Sequence, residues 1–439
     1  MKNMANGRET ESGKIIEDAK EKAGDKQAHG LKEKASDKQA QGANEKADLS
    51  AKISAILVAL ILATGMLGLF FFPKREYSET ENRYLAKLPE VNAKAVFDGS
   101  WMDDYVQYLT DQFPVRDVWI MVNSQMQKTL GQKEINGVYL GSDQYLMAQY
   151  DASKNTDRIA STFAKFAKKS DEISPGARRY LMLVPTAITI YEDKLPANAP
   201  VHSQLETISE IYQQAAGDYQ LVDAYASLKQ AKESYAAMLD GFDGQSAMYG
   251  QLFYRTDHHW TTLGAYYGYR ALCETMGLEA IPLDHFKAEL ASNNFYGTYD
   301  AKVHLPGQMS DSICLYTNPD DSLSVEYEEG EPASSSLYNL EYTRVRDQYA
   351  LFLNHLHSLV TVQNTAAQSG RVLVLVKDSY ANSMVPFLTA HFDTIYIFDT
   401  RYYKDGVSSF LKDHEEVTDV LLLYNMSTID TDTGIRGIY

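Results

Sequence analysis

The sequence predicts an α/β protein with a doubly wound, mostly parallel sheet and helices on both faces, preceded by one transmembrane helix. Three apolar runs in the last third of the chain, RVLVLV (371–376), TIYIF (394–398) and VTDVLLL (417–423), are separated by helical stretches. Strands that alternate with helices in this way form parallel sheets with both faces covered. A further run, YLMLV (180–184), closes at Pro185 and is typical of a buried parallel strand.

The remaining elements follow from apolar spacing and turn residues. Helices are predicted at 155–169, 203–216 and 261–276, a hairpin around Ser142-Asp143, and a short strand at 220–223. The segment 97–117 also has helical spacing, which predicts one buried face with Phe97, Trp101, Tyr105, Tyr108 and Leu109.

Composition excludes several classes of protein. The chain has 439 residues, of which 44% are hydrophobic and 23% charged, an ordinary globular balance for one large domain or two moderate ones. Its two cysteines, Cys273 and Cys314, exclude a disulfide framework and a multi-cysteine metal site. The net charge of −18 argues against nucleic acid as a partner and disfavours a strongly anionic polymer, unless a local basic groove overrides it.

One segment near the start breaks this soluble pattern. Residues 53–72, from Ile53 to Phe72, carry no charge and end at Pro73-Lys74-Arg75. Twenty residues at 1.5 Å each give about 30 Å, the thickness of a bilayer core. We therefore expect a charged tail (1–52), a transmembrane signal anchor (53–72), a juxtamembrane linker (73–96) and an extracytoplasmic catalytic domain (97–439). Lysine and arginine flank the anchor on both sides, so charge alone leaves its orientation open.

Two segments carry the residues of a nucleophilic site. Ser379 directly follows the RVLVLV strand and its Lys377-Asp378, where a strand turns into a helix. Such a turn presents a hydroxyl at the sheet edge, together with backbone N–H groups that point outward. A serine needs an imidazole base held by a carboxylate, and Asp257 and His259, two residues apart, provide both groups.

Each feature also has a simpler interpretation. Asp-Ser after a strand is a common helix N-cap pair. The run His258-His259-Trp260 before a helix is compatible with core packing, with Thr261 as the N-cap. Asp257, His258 and His259 are also compatible with a metal site completed by His285 or His304, although no established metal-ligand spacing follows and no metal is expected.

The motif Asp257-His258-His259-Trp260, followed by Thr261 and a helix, resembles the name-giving motif of the DHHW family of bacterial envelope proteins. Taken with Lys377-Asp378-Ser379-Tyr380, it is similar to the SGNH-like O-acetyltransferases of alginate acetylation. Other landmarks of this resemblance follow in order, over roughly residues 78–430: SETENRYLAKLP (78–89), DQFPVRD (111–117), VYLGSDQYL (138–146), VPTAITIYEDKLP (184–196) and FYGTYDAKV (295–303).

The resemblance implies an SGNH-hydrolase-like fold with Ser379 as nucleophile, His259 as base and Asp257 as the carboxylate that orients it. Lys377 stands where a Gly-Asp-Ser motif would have glycine. Candidates for oxyanion or substrate-binding groups are Tyr380, Arg401, Asn425 and His258. For Arg401 and Asn425, an ion pair and a turn residue are the alternative roles.

The resulting hypothesis is a membrane-anchored O-acetyltransferase at the cell membrane that acts on a secreted or cell-surface polysaccharide and needs no cofactor. The resemblance implies a membrane-bound O-acyltransferase as the partner that supplies the acetyl group. A carbohydrate acetylesterase with the same triad is the first alternative. A polysaccharide-binding or scaffold protein without catalysis is the second.

Overall fold

The computed structural model describes residues 48–69, 71–78, 80–81, 83–239 and 250–439, so most of the predicted N-terminal tail lies outside the described residues. Within them the chain divides into two compact units. The first comprises the chain up to Arg75 together with Ala86–Arg116, and the second comprises Glu76–Leu85 together with Asp117–Tyr439.

The first unit is helical, with α1 (Asp48–Leu69), α2 (Ala93–Asp98) and α3 (Ser100–Asp111). Among the described residues, α1 is the one helix long and apolar enough to cross a membrane, judged by length and composition. Its 22 residues correspond to about 33 Å at 1.5 Å per residue. The predicted anchor, Ile53–Phe72, lies on this helix as far as Leu69.

The predicted apolar face of 97–117 is only partly buried. Trp101 and Tyr105 stack, with ring centroids 5.0 Å apart, and both are half-buried. Phe97, however, is 92% exposed, so its predicted burial is wrong. The reason is Gly99, whose φ of 89° ends α2 and separates Phe97 from the helical register of α3.

The second unit contains the sheets. Its strands within the described residues are β1 (Tyr77–Ser78), β2 (Arg83–Tyr84), β3 (Glu134–Ile135), β4 (Val138–Leu140), β5 (Leu146–Ala148), β6 (Arg178–Val184), β7 (Gln220–Val222), β8 (Lys287–Phe295), β9 (Asp311–Thr317), β10 (Leu323–Tyr327), β11 (Leu359–Asn364), β12 (Val372–Lys377), β13 (Thr394–Phe398) and β14 (Asp419–Asn425). Its α-helices there are α4 (Arg116–Thr129), α5 (Thr156–Ile173), α6 (Ala187–Ile190), α7 (Gln204–Ala215), α8 (Ala224–Leu239), α9 (Thr262–Met276), α10 (Thr298–Val303), α11 (Val385–Leu388) and α12 (Val407–Lys412).

The main sheet has seven strands in the order β10-β11-β13-β12-β14-β6-β7. The pairs from β13 to β7 are parallel, whereas β11 pairs antiparallel with both β13 and β10. The predicted α/β class is confirmed, but the sheet is mixed. Only residues 365–371 separate β11 from β12, and a parallel crossover needs about a dozen residues or more.

The centre of the sheet is covered on both faces. All seven residues of β14 are buried, and so are Leu373–Lys377 of β12 and Tyr180–Val184 of β6. Neighbouring residues of a strand point to opposite faces, so this unbroken burial requires cover on both sides. The apolar runs identified in the sequence therefore form the core that carries the site.

The local predictions around the site hold. Helix α9 begins after Thr261, whose hydroxyl accepts a hydrogen bond from the Gly264 N–H at 3.2 Å, and it ends at the left-handed Gly277. β4 and β5 pair antiparallel around Ser142, as the hairpin prediction requires. The antiparallel pair β8–β9 was not predicted, and it frames the segment 296–310 beside the site.

Candidate active site

Ser379 lies at the carboxyl end of β12, where a 3-10 turn over Ser379–Ser383 begins. Asp378 fixes this turn: one oxygen accepts the Tyr380 N–H at 2.9 Å, and the other accepts the backbone and side-chain N–H groups of Asn425, both at 2.7 Å. The nucleophile candidate is thus anchored to its own turn and to the end of β14. Such an anchored position is the geometry expected of a preorganised site.

The loop that carries the second motif is held by a buried carboxylate. Asp311, at the start of β9, accepts the backbone N–H groups of Arg255 and Thr256 at 2.8 Å each, and the Thr256 hydroxyl at 2.6 Å. Burial raises the pKa of Asp311 to about 6, against the opposing effect of these hydrogen bonds. At the other end of the loop the buried Trp260 donates its Nε1–H to the Tyr380 carbonyl at 2.8 Å, which ties the two motifs together.

Three side chains of these segments form a continuous line of hydrogen bonds. His259 Nε2 lies 2.7 Å from Ser379 Oγ, and His259 Nδ1 lies 2.5 Å from Asp257 Oδ1. The second oxygen of Asp257 accepts the N–H and hydroxyl of Thr298, at 2.8 and 3.0 Å. This network assigns the Nδ1 proton to the Asp257 side and leaves the Nε2 lone pair for the serine hydroxyl.

The electrostatics keep the imidazole of His259 neutral. Burial, reinforced by the neighbouring His258, lowers the pKa of His259 to about 4 despite the opposing charge of Asp257. Burial alone would raise the pKa of Asp257, but the two histidines hold it well below its usual range. A neutral base beside an ionised carboxylate is the protonation state in which a serine proton can be removed.

His258 has a different environment from that of His259. Its Nδ1 lies 2.8 Å from the Thr298 hydroxyl and 3.5 Å from Asp257, and its ring centroid is 3.7 Å from that of His259. Burial opposes a charge on His258, but Asp257 outweighs it and raises the pKa of this histidine. Of the two histidines, only His258 is among the described residues that line a neighbouring cleft.

Two residues of the site were missed by the sequence analysis. Tyr349 stacks on the other face of His259, with centroids 3.6 Å apart and planes 8° from parallel. Its hydroxyl donates to the Ser379 carbonyl at 3.1 Å and lies 3.1 Å from Ser383 Oγ. The second residue is Thr298. Only Thr298 had a signal, because it lies in the landmark segment 295–303; nothing in the sequence around Tyr349 marks it.

The remaining candidates are engaged by other protein groups. Tyr380 donates its N–H to Asp378 and its hydroxyl to the His258 carbonyl, so this N–H does not point outward as expected. The Asn425 amide binds Asp378 and Thr428.

Arg401 forms a two-pronged pair with Asp399, at 2.8 and 2.5 Å. Asp399 also lies 3.5 Å from Lys377 Nζ, and burial lowers the pKa of that lysine. The guanidinium of Arg401 is thus already paired with Asp399, which also follows the end of β13.

The alternative metal site has a geometric basis in the same three residues. Asp257, His258 and His259 each offer a ligand atom within 4.8 Å of the others. The predicted completing residues are directed elsewhere: His285 Nε2 lies 3.0 Å from Asp320, and His304 Nδ1 lies 3.1 Å from the Ala301 carbonyl. The atoms that would bind a metal already have partners within the protein. His259 Nδ1 hydrogen-bonds Asp257, and His258 Nδ1 hydrogen-bonds the Thr298 hydroxyl.

A cleft of about 560 Å³ opens beside the triad. His258 and Thr298 line one part of it, and residues 426–428, which follow β14, line another. Its position beyond the carboxyl ends of parallel strands is the usual ligand position in α/β sheets.

The fold and this hydrogen-bonded Asp-His-Ser line define an α/β protein with the geometry of a serine nucleophile site. The sequence model described as DHHW protein matches residues 136–398, more than half of the chain, and the chain belongs to this family. Over 175 residues it is 26% identical to a protein of Pseudomonas syringae named probable alginate O-acetylase AlgJ, a match that covers 39% of this chain and 41% of that protein. The chain thus spans less than half the length of this curated relative.

Two solved structures have a similar fold. A DHHW family protein from Eubacterium siraeum has a TM-score of 0.57 at 24% identity, over 69% of this chain and 96% of that one. PatB1 of Bacillus cereus with a sulfonyl adduct has a TM-score of 0.53 at 19% identity, over 69% of this chain and 98% of that one.

Proposed function

We propose that this protein is a membrane-anchored O-acetyltransferase that acetylates hydroxyl groups of a secreted or cell-surface polysaccharide through Ser379. The line of hydrogen bonds from Asp257 through His259 to Ser379 carries the proposal. The alginate O-acetylase name of the relatives supports acetyl transfer as the reaction. The likeness to the PatB1 fold supports an SGNH-like domain with helices on both faces of its sheet.

In the first half of the reaction, Ser379 Oγ attacks the carbonyl carbon of an acetyl ester or thioester donor. The hydroxyl proton passes to His259 Nε2, and Asp257 stabilises the resulting imidazolium. When the tetrahedral intermediate collapses, the bond to the donor's leaving group breaks and that group takes the proton from His259. The product is acetyl-Ser379.

In the second half, a sugar hydroxyl takes the place of the leaving group. It gives its proton to His259 Nε2 and attacks the acetyl carbon, and Ser379 Oγ then leaves with the proton. The flat stack of Tyr349 on His259 keeps the ring in the plane that serves both halves. These steps require no cofactor at the site.

The site is tested with the full-length protein in detergent micelles. Wild type should hydrolyse 4-nitrophenyl acetate and become labelled by an aryl sulfonyl fluoride, and Ser379→Ala should lose both properties. Ser408→Ala, a buried serine on α12 outside the site, is the matched control and should retain both. Hydrolysis and labelling that persist in Ser379→Ala would refute the nucleophile assignment.

Transfer is then distinguished from hydrolysis by measuring acetylated sugar and free acetate together in the presence of oligosaccharide acceptors. Acetylated sugar supports the transferase. Free acetate alone across several acceptors would replace it with the acetylesterase, and absence of any turnover by wild type would leave a polysaccharide-binding scaffold.

The proposal also assigns a topology, with residues 53–72 in the membrane, the catalytic domain outside and a membrane-bound O-acyltransferase as the source of acetyl groups. The apolar helix α1 supports this assignment. Protease added to intact cells without an outer wall should remove the large domain. A protected large domain would refute the orientation and, with it, action on a secreted or cell-surface polysaccharide.

A further inference from the structure

We infer that the cleft beside His258 binds the acceptor polysaccharide and that it takes chains without carboxylate groups rather than polyuronates. This inference rests on the proposed function and narrows its substrate class. The relatives are named for alginate, a polyuronate, so the inference separates this chain from them.

The cleft is joined to both parts of the triad. On one side it is lined by Thr298, which donates to Asp257 at 2.8 and 3.0 Å. On another it is lined by Thr428, whose hydroxyl lies 3.2 Å from Asp378, the residue before Ser379. A polysaccharide bound in the cleft therefore contacts Thr298, which binds the carboxylate partner of the base, and Thr428, which binds the residue before the nucleophile.

The chemistry of the cleft fits neutral sugars. The rings of Tyr150 and Tyr299 form part of its wall, although each residue is less than 10% exposed, and the more exposed Gln149 and Ser427 provide an amide and a hydroxyl group. Sugars present apolar ring faces and a rim of hydroxyls, which aromatic rings and neutral hydrogen-bonding groups match. The volume of about 560 Å³ is within the range of about 300–1,000 Å³ usual for ligand sites.

Its charges do not fit a polyuronate. Asp151 and Asp430 line the cleft, against one lysine, Lys302, and no arginine is among its described lining residues. The raised pKa of His258 favours its protonated form, and that positive charge is paired with Asp257 at 3.5 Å. A polyuronate brings carboxylates that arginine forks ordinarily bind, and here they would meet the two aspartates instead. Like charges brought together in this way oppose binding.

The test compares two ligands that differ only at C6, a β-1,4-linked mannuronate hexamer with carboxylates and the matching mannose hexamer with hydroxymethyl groups. Binding is measured by calorimetry on the full-length Ser379→Ala protein in detergent at low salt, where no turnover occurs. The neutral hexamer should bind about tenfold more tightly or better, because of the like-charge repulsion in the cleft. The preference should shrink as salt screens that repulsion.

A charge-matched pair of variants locates the effect. Asp151→Asn with Asp430→Asn should tighten binding of the mannuronate hexamer about tenfold, with little change for the mannose hexamer. Asp405→Asn with Asp413→Asn removes the same two charges from exposed positions outside the cleft and should leave the preference unchanged.

Equal or tighter binding of the mannuronate hexamer would overturn the inference, and so would failure of both hexamers to bind at millimolar concentration. Failure of the proposed function is a separate result. It would appear as equal 4-nitrophenyl acetate hydrolysis by wild type and Ser379→Ala, or as no hydrolysis by wild type, whichever hexamer binds.

Discussion

Both ends of the main sheet have buried carboxylates beside them, and Asp419 at the amino end differs from Asp257 at the carboxyl end in its partners. At the amino end, Asp419 opens β14 and binds two guanidinium groups: Arg371 at 2.7 and 3.0 Å and Arg178 at 3.0 and 3.1 Å. At the carboxyl end, Asp257 binds the imidazole of His259 and the polar groups of Thr298.

The difference distinguishes a structural ion cluster from the site that we propose transfers protons. A guanidinium stays protonated at every working pH, so the Asp419 cluster holds strands together and exchanges no proton. An imidazole can take up and release a proton, so the Asp257–His259 pair is suited to the proton transfers of the proposed reaction. Burial of a carboxylate is thus common to both ends, and the partner decides its role.

The largest effect is expected at the carboxyl end. His259→Ala should lower acetyl-ester hydrolysis about 10²- to 10⁴-fold, because the serine loses its general base. The double variant with Ser379→Ala should be no worse than the worse single variant, since members of a triad act as one unit. The measurement is 4-nitrophenyl acetate turnover per folded molecule. Full additivity of the two losses would separate His259 from Ser379.

The next effect concerns the link between the two motifs. Trp260→Ala should lower the free energy of unfolding by about 3–5 kcal/mol, because a fully buried ring is removed. Trp260→Phe keeps most of the ring and loses the bond to the Tyr380 carbonyl, so it should cost only about 1 kcal/mol in addition to any repacking. Denaturant titration gives both values. A normal midpoint for Trp260→Ala would contradict its role in the core.

At the amino end, Asp419→Ala should destabilise the protein by about 3 kcal/mol, because two arginines lose a buried partner. The turnover rate per folded molecule should stay unchanged, since this cluster is at the opposite end of the strands from Ser379. Thermal unfolding and active-site titration measure the two quantities. A specific loss of turnover in the folded fraction would remove the distinction between the two ends.

The smallest effect is a shift in pH dependence. His259 must be neutral to act, so kcat/KM should fall as the pH drops through about 4, the value to which burial and His258 lower its pKa. His258→Asn removes a neighbouring positive charge and should move this acidic limb to higher pH. The other charges around the pair are Asp257, Asp378 and Asp347 near His258, and Arg401 near His259. An unmoved limb in His258→Asn would assign the low pKa to burial alone.

The sequence determined the features that depend on short stretches of chain. Continuous apolar runs marked the buried strands β6, β12, β13 and β14, because a strand covered on both faces has no polar side. Thr261 and Gly277 marked the ends of α9 through local hydrogen bonding and a left-handed turn. The spacing Asp257-x-His259 also indicated which histidine pairs with Asp257, and the structure has Asp257 Oδ1 accepting the His259 N–H at 3.0 Å and lying 2.5 Å from His259 Nδ1.

Only the tertiary structure decided the features that depend on long-range contacts. Tyr349 reaches His259 from 90 positions away, and Thr298 reaches Asp257 from 41, distances over which no local pattern carries information. The antiparallel direction of β11 likewise depends on its pairing with β13, and the residues of β11 alone do not predict that pairing. Arg401 and Asn425 were recognisable as polar residues at strand ends, but their partners, Asp399 and Asp378, depend on which strand ends lie side by side. Short sequence patterns identify candidate reactive groups, and the packing of distant segments determines which of these groups come into contact.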